Sequence, residues 1–476
     1  MSCEDWTEDV AAFYKARAVR RRIAEYCGGS DEAPESFTSW RVAGFGGRAR
    51  LAETEGAPVA RDNALWPAVL AEGADVCRSL ADRAGTLVQL DVDYVDPRDP
   101  GAPYRRPAQT FARLEPVYRA VQAQLARYAM PHRALVTGRG YHFTLRVPFR
   151  SAFHRDLVAI SGSVDSGGAP DPGEACADGR RPEARRAHEG AGRLLEDLGH
   201  RVVRQLRGQT AVPVTLADVP PPGGGAFICL DLSAYADPVF RRFARCAFSA
   251  NQRSAMIQAA PERPFVFVLP RGEPTLSEIL ACREDERGAA RLAREVSVAI
   301  PDVADGGRWI DEYRRGPLAA FHAAFDAGPQ AGPGQWPFTY DTIDPYDWPP
   351  CLSLPLRHPN PALLQPAYIR TVSLGLWAMG WHPRSVAGLI RSKYERDFGW
   401  RSLWRRYDPA GRAEFYVRLF CGAVAAGLDA PVEFTCETQS GRGLCGSEAC
   451  REDQARLFRW LAGQLAAKAA AARGAP

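Results

Sequence analysis

Asp91 and Asp93 stand one residue apart in Leu87-Val88-Gln89-Leu90-Asp91-Val92-Asp93-Tyr94, a run that otherwise reads as a buried strand. Residues i and i+2 of a strand point to one side, so both carboxylates leave one face while Leu90 and Val92 pack on the other. Two carboxylates that close resist joint ionisation unless a cation lies between them, and hard oxygen ligands suit Mg²⁺ or Mn²⁺. The plainer alternative is a strand that ends in a solvated turn, since Asp96-Pro97-Arg98-Asp99-Pro100-Gly101 follows.

Two further patches carry compatible chemistry. Ala134 to Val147 reads as two short strands joined by Thr137-Gly138-Arg139-Gly140. Alternation on the second puts Tyr141, Phe143, Leu145 and Val147 on an apolar face and His142, Thr144 and Arg146 opposite. Glycines 138 and 140 allow close backbone approach and positive φ, and Arg139 between them can reach a triphosphate. Near 227–232, Phe227-Ile228-Cys229-Leu230-Asp231-Leu232 again sets one acid in an apolar run. Asp231 can complete a three-carboxylate, two-metal site, and Arg245, Ser249, Asn251 and Arg253 beyond it can donate to phosphates. Alternatively Asp231 caps a turn and the arginines coat a solvated helix.

In order and kind these patches resemble the three motifs of archaeo-eukaryotic primases, the primase-polymerase superfamily. In that family the third motif is followed by R-x-x-x-S-x-H-x-K, whose spacing Arg245, Ser249, Asn251 and Arg253 match. Asn251 replaces the family His and Arg253 the Lys, and the segment ending in His142 is one residue shorter than the common S-G-x-R-G-x-H. Both departures concern how a nucleotide is held, and neither touches the three acids.

In the C-terminal quarter, Cys351 follows Trp348-Pro349-Pro350, and Cys436, Cys445 and Cys450 form C-x8-C-x4-C. Four thiolates gathered from distant points fit a tetrahedral zinc or an iron-sulfur cluster, and spacing does not choose between them. Pro-Pro-Cys, the helical stretch Tyr368 to Gly380 and a cluster containing Gly443-Leu444-Cys445 resemble the C-terminal domain of the primase large subunit. The resemblance implies a [4Fe-4S] cluster held by Cys351, Cys436, Cys445 and Cys450, with Cys421 a packed core thiol.

The elements that must position these groups follow from pattern. A helix with Val117, Val121, Leu125 and Tyr128 on its packed face is expected between the first two motifs, with Pro116 in its first turn. A second helix is expected from about Ala187 to Gln205, with Leu194, Leu195, Leu198 and Val202 as its apolar stripe. Residues 1 to about 80 read as mainly helical with one short strand near Trp40 to Phe45. The stretch 161–186, rich in Gly, Asp, Ala and Pro, is expected to be a mobile loop. Residues 327–334, rich in Pro and Gly, read as linker that is neither helix nor sheet.

With 476 residues and 46% hydrophobic content, the chain has room for two or three domains. No run of about 18 uncharged apolar residues occurs, so a cytoplasmic protein without membrane association is expected. Twelve unevenly spaced cysteines argue against a secreted disulfide framework. Net charge is only +4, but Arg384 to Arg418 carries nine Lys or Arg against four Asp or Glu, interleaved with Tyr394, Phe398, Trp400, Trp404, Tyr407, Phe415 and Tyr416. Basic residues among aromatics suit unpaired nucleic acid, with about half of such aromatics expected in the core.

The expected fold is α+β: a primase-type catalytic core of mixed sheet flanked by helices over 1–326, a linker over 327–344, and a mainly helical cluster-bearing domain over 345–476. The resemblance implies a DNA primase and nucleotidyltransferase that starts primers on single-stranded DNA from NTPs or dNTPs, and extends them, with a helicase or other replication or repair protein as partner. Asp91, Asp93 and Asp231 would hold Mg²⁺ or Mn²⁺, and Arg139, His142, Arg245, Ser249, Asn251 and Arg253 the nucleotide. Two other readings stay open: a polymerase of the same superfamily that only extends primers in repair or bypass, and a non-catalytic nucleic-acid-binding protein.

Overall fold

The computed structural model describes residues 3–46, 58–162, 181–257, 265–272, 274–357, 361–397, 407–428, 433–445 and 450–474. Its strands are β1 (Val42–Phe45), β2 (Val59–Arg61), β3 (Asp75–Ser79), β4 (Gly85–Val95), β5 (Arg133–Val136), β6 (Gly140–Pro148), β7 (Val214–Thr215), β8 (Phe227–Asp231), β9 (Phe243–Arg245), β10 (Ala250–Asn251), β11 (Val266–Phe267) and β12 (Leu269–Pro270). Among these residues they form a sheet in the order β12-β5-β6-β4-β8-β7, a smaller one in the order β2-β1-β3-β9, and the pair β10-β11. Helices make up most of the rest, so the fold is α+β.

β4 is the spine of the larger sheet because its sequence is apolar enough to be covered on both sides. Leu87, Val88, Leu90, Val92 and Tyr94 are all buried. β6 pairs with it antiparallel from Gly85↔Pro148 to Asp93↔Gly140, and β8 pairs with its other edge from Asp91↔Asp231 to Val95↔Phe227. Side chains alternate with period two, so Tyr141, Phe143, Leu145 and Val147 of β6 join the core while His142 falls on the side of the acids.

The smaller sheet departs from the sequence reading, which placed one strand before residue 80. β3 is fully buried although it holds Asp75 and Arg78, whose charges mask the apolar pattern. Both are satisfied inside the protein: Asp75 accepts Arg245 Nε at 2.8 Å, and Arg78 pairs with Asp82. Buried charges are tolerated only when paired in this way.

Pro107–Arg127 is the first expected helix, but Pro107 occupies its start and Pro116 lies inside it. A proline there removes one helical hydrogen bond, which costs about 3 kcal/mol in an exposed helix. Burial of Phe111, Leu114, Val117, Val121 and Leu125 offsets that loss. The second expected helix begins earlier, at Arg181, and runs to Gln205. Most of the expected 161–186 loop, residues 163–180, lies outside the described residues, as do Phe398, Trp400 and Trp404.

The C-terminal quarter is helical, built on Pro350–Arg357, Pro366–Ala378, Pro383–Ser392, Pro409–Ala425 and Glu452–Gly474. One continuous cluster of buried apolar side chains runs from Val10 to Ala469 through both halves. The Pro/Gly stretch expected as linker is docked: Pro333–Gln335 and Trp336–Thr339 are helical turns, and Gln330 accepts a hydrogen bond from Arg384 at 3.4 Å. Arg412 and Arg418 of the basic stretch are buried rather than presented to solvent, as are Tyr394, Phe415 and Tyr416. Among the described residues no helix is long and apolar enough to cross a membrane.

The Arg181–Gln205 helix braces β4 where β8 stops. Tyr235 places its hydroxyl on Gln89, accepting from the backbone N–H and donating to the carbonyl at 2.9 Å each. His188 stacks on the Tyr235 ring at 4.5 Å and donates from Nε2 to the Ala234 carbonyl at 3.1 Å. Burial pushes the His188 imidazole down to about 4 from 6.5. The unfolded chain therefore binds a proton that the folded one refuses until about pH 4, so this stability is complete above pH 6.5 and is lost as pH falls. Between pH 7.5 and 5 the loss is about 2 kcal/mol. In urea denaturation at those two pH values, wild type should lose about 2 kcal/mol more than His188→Gln, which keeps the donor but does not titrate; equal losses would show that His188 is not the group responsible.

Candidate active site

The cross-strand register brings the acids together. Asp91 sits opposite His142 on β6 and opposite Asp231 on β8, with Asp93 two residues along on the same face. His142 Nε2 lies 3.6 Å from Asp91 Oδ1, and Gln89, also on this face, donates to the same oxygen at 2.8 Å. Asp231 Oδ1 accepts the Ser233 backbone N–H at 2.8 Å. Like charges directly opposite each other across strands are destabilising.

Electrostatics separates the acids. Withdrawal from solvent on the cleft floor raises the Asp91 carboxyl, and Asp93 and Asp231 add to the rise against the pull of His142. Asp93 suffers the same desolvation, but Arg139, whose guanidinium lies 2.5 Å away, holds its carboxyl below the usual range. Among the described residues no three His, Cys, Asp or Glu side chains converge as ligands of one ion. Asp93 faces Arg139, and Asp91 faces Gln89 and His142. The donor set itself, carboxylate oxygens side by side on one sheet face, fits a hard divalent cation.

A cleft of about 810 Å³ opens above these acids, between the two sheets, and Arg245, Asn251 and Arg253 line it from the other side. Arg245 is anchored through Nε to buried Asp75 and lies over the Phe45 ring at 5.2 Å, and its terminal nitrogens donate no hydrogen bond to protein among the described residues. Arg253 likewise has no side-chain partner there, and its guanidinium is pushed down first by the charge of Arg245, then by burial and Arg139. Arg253 without a carboxylate partner among the described residues, beside Arg245 whose terminal nitrogens are unbonded there, makes an anion site.

The Gly-Arg-Gly turn works by close approach rather than by unusual backbone angles, since neither glycine has positive φ. A Cβ on Gly140 would lie 1.7 Å from the Val92 carbonyl, and one on Gly138 2.6 Å from Asn251 Nδ2. Arg283, fully buried, donates to the carbonyls of Thr137 and Gly138 at 3.0 and 3.2 Å and so fixes the turn that carries Arg139.

Ser249 falls outside this arrangement. It is fully buried, its Oγ accepting the Val76 N–H at 2.7 Å and donating to the Ala250 carbonyl at 2.8 Å, and it does not line the cleft. The sequence reading missed Asp218, which does line it. Desolvation and then Asp231 hold that carboxyl above its usual range. Asp218 stands in an irregular segment with neither strand alternation nor spacing to tie it to the other acids, so only the fold reveals it. Asp75 was missed because its role is contact with Arg245 across 170 residues.

The four cysteines lie apart from the cleft, in the helical half. Cys351 opens the Pro350–Arg357 helix, Cys436 opens Cys436–Gly441, and Cys450 stands just ahead of Glu452–Gly474. Burial raises the Cys351 thiol, and Cys445, Cys450 and Cys436 add to the rise in that order. All four are free thiols. Helix N-termini favour thiolate ligands. Cys421 is apart, fully buried with Sγ 3.9 Å from the Ser373 carbonyl.

Arg139 competes with any cation for Asp93. Without nucleotide, Arg139→Ala should therefore bind Mn²⁺ about tenfold more tightly than wild type, a figure set by loss of one charge-assisted contact. Titration followed by Mn²⁺ paramagnetic resonance checks this; unchanged or weaker binding would show that the acids are not the cation site. The chain matches no family model, no curated protein and no solved structure.

Proposed function

We propose that the chain is a single-chain primase-polymerase, a template-dependent nucleotidyltransferase that starts primers on single-stranded DNA. One observation carries the reading: Asp91, Asp93 and Asp231, with His142, line one wall of a cleft whose opposite wall carries Arg245 and Arg253. Acids and arginines facing across a gap match a nucleoside triphosphate with its divalent cations, and that substrate presents both charges at once. The resemblance of the three motifs to primase-polymerases supports the same conclusion, including a primase-type core.

Asp91, Asp93 and Asp231 would hold Mg²⁺ or Mn²⁺, which supply a lower pKa for the attacking 3′-hydroxyl and neutralise the departing pyrophosphate. The remaining work belongs to side chains. Arg139 exchanges Asp93 for the triphosphate, so the charge that offsets Asp93 in the free cleft becomes a nucleotide ligand. Arg245, already fixed by Asp75, offers its terminal nitrogens without reorganising. Arg253 and Asn251 close the wall, and His142 keeps Asp91 oriented. Ser249, in this reading, supports β3 rather than the nucleotide.

Cys351, Cys436, Cys445 and Cys450 would hold a [4Fe-4S] cluster that fixes the termini of the surrounding helices, as the resemblance implies; zinc would serve the same structural end. Protein purified without oxygen should show broad absorbance near 400 nm and about four irons per chain, both lost in Cys445→Ser. One zinc and no iron would remove the cluster but keep the structural role.

Activity is decided by synthesis on single-stranded DNA with labelled NTPs or dNTPs and Mg²⁺ or Mn²⁺. Products from unprimed template should appear, and Asp91→Ala or Asp93→Ala should lower the rate by several kcal/mol of barrier, about a thousandfold or more, in folded protein. Products only on primed template would mark an extending polymerase of repair or bypass. No product in either case would favour the binding protein.

A further inference from the structure

The two halves of the chain meet at the turn that follows the third acid. β8 ends at Asp231, whose Oδ1 accepts the Ser233 N–H at 2.8 Å, and Ser233–Ala236 form a single 3₁₀ turn. The Ser233 carbonyl accepts Arg242 Nη2 at 2.7 Å, and the same guanidinium pairs with Asp237. Asp237 is 5% exposed and does not line the cleft. Its two carboxylate oxygens serve different halves of the protein. Oδ2 takes Arg242, while Oδ1 accepts the backbone N–H of Asp408 at 3.1 Å.

Asp408 is the N-cap of the Pro409–Ala425 helix, its own side chain accepting from Ala410 and Gly411. That helix begins hard against the turn: a Cβ on Gly411 would stand 3.3 Å from the Ala236 carbonyl. Tyr407, immediately before the cap, lines the cleft, and its carbonyl accepts Arg241 Nη1 at 3.3 Å. A continuous hydrogen-bonded path thus runs from the N-terminus of a C-terminal helix through Asp237, Arg242 and Ser233 to Asp231.

We propose that Asp237 is a positioning residue, a latch by which the docked helical half holds Asp231 in place for cation binding. The inference rests on the reading of Asp91, Asp93 and Asp231 as the cation site. The carboxylate of Asp231 receives its orienting N–H from a turn held at Tyr235 by Gln89 and at Ala234 by His188, but at Ser233 itself by Arg242. Arg242 ties that turn to Asp237, and Asp237 is in turn seated on the capped helix. Releasing the helix loosens Ser233, and with it the direction of the Asp231 oxygens. Cation affinity then depends on contacts made outside the cleft, and the C-terminal half completes the catalytic one rather than only carrying nucleic acid.

Two variants attack the latch from opposite sides without altering a cleft residue. Asp237→Asn keeps an acceptor for Asp408 but loses the ion pair, and Gly411→Val wedges the helix off the turn. In the full chain, each should weaken Mn²⁺ binding measured by paramagnetic resonance about tenfold. Each should lower kcat on primed template, with recovery at high Mn²⁺, while nucleotide KM and single-stranded DNA affinity change less than twofold. Hydrogen exchange over 231–237 should quicken in both. Faster exchange there with wild-type Mn²⁺ affinity would overturn the latch, as would unchanged exchange. If wild type binds no Mn²⁺ that Asp91→Asn abolishes, the cation-site reading itself fails, and the latch with it.

Discussion

The structure turns on carboxylates set directly opposite one another on neighbouring strands. Asp91 and Asp231 occupy registered positions of β4 and β8, with Asp93 alongside, and charges so placed repel. They persist because the sheet leaves them no other course. Slipping β4 by one residue would put Leu90 and Val92 on the charged face and bury the acids, exchanging the whole apolar set for charge. The extended pairing of β4 with β6, and the burial of Tyr141, Phe143 and Leu145 beneath it, therefore aim the carboxylates as surely as any contact they make themselves.

Repulsion on one wall is met by excess positive charge on the other. Arg245 could have neutralised the acids directly, but Asp75 draws its Nε to the far side and keeps the guanidinium on β9. The cleft is thus a separated charge pair. Among the described residues Arg139 pairs with Asp93 within the acid-bearing wall, and under the proposed function that pair opens to admit a ligand carrying phosphate and cation together. Arg283 grips the carbonyls of the turn that carries Arg139, so under the proposed function the exchange requires only the Arg139 side chain to move.

What could be read from the sequence was the part written in periodicity. Asp-x-Asp on an apolar run, the alternation of β6 and the stripe on the Arg181–Gln205 helix specify strand, face and helix, because burial enforces periods of 2 and 3.6. What could not be read was the part written in long-range pairing. β3 looked polar because Asp75 and Arg78 find partners far away in the chain or inside a turn. Pro116 looked like a helix start because local propensity cannot weigh a buried face against one missing hydrogen bond. Asp218, Arg283 and Asp237 carry no local signature at all; each is defined by what the fold brings to it. The basic stretch misled for the converse reason, since a charge count does not distinguish solvated arginines from Arg412 and Arg418 in the core.

The junction of the halves obeys a different economy from the cleft. Arg418, from the helical half, approaches Glu189 at 3.4 Å and Glu196 at 3.9 Å on the Arg181–Gln205 helix, and Glu196 also faces His322 at 3.3 Å. Arg193 on the same helix pairs with Glu189 and Asp326 at 2.7 and 2.8 Å. Desolvating so many charges adds little net stability, because what attraction returns is largely consumed by lost hydration. What such a network does supply is a single geometry: any other docking leaves buried charge unpaired, at several kcal/mol each. Under the proposed function that trade has a purpose. A loosely tethered partner domain can deliver a template, but it cannot hold a metal ligand in position. A helix whose N-cap is seated on Asp237 can do so only if its orientation is fixed elsewhere, and the ionic network beside the Arg181–Gln205 helix is where that orientation is fixed.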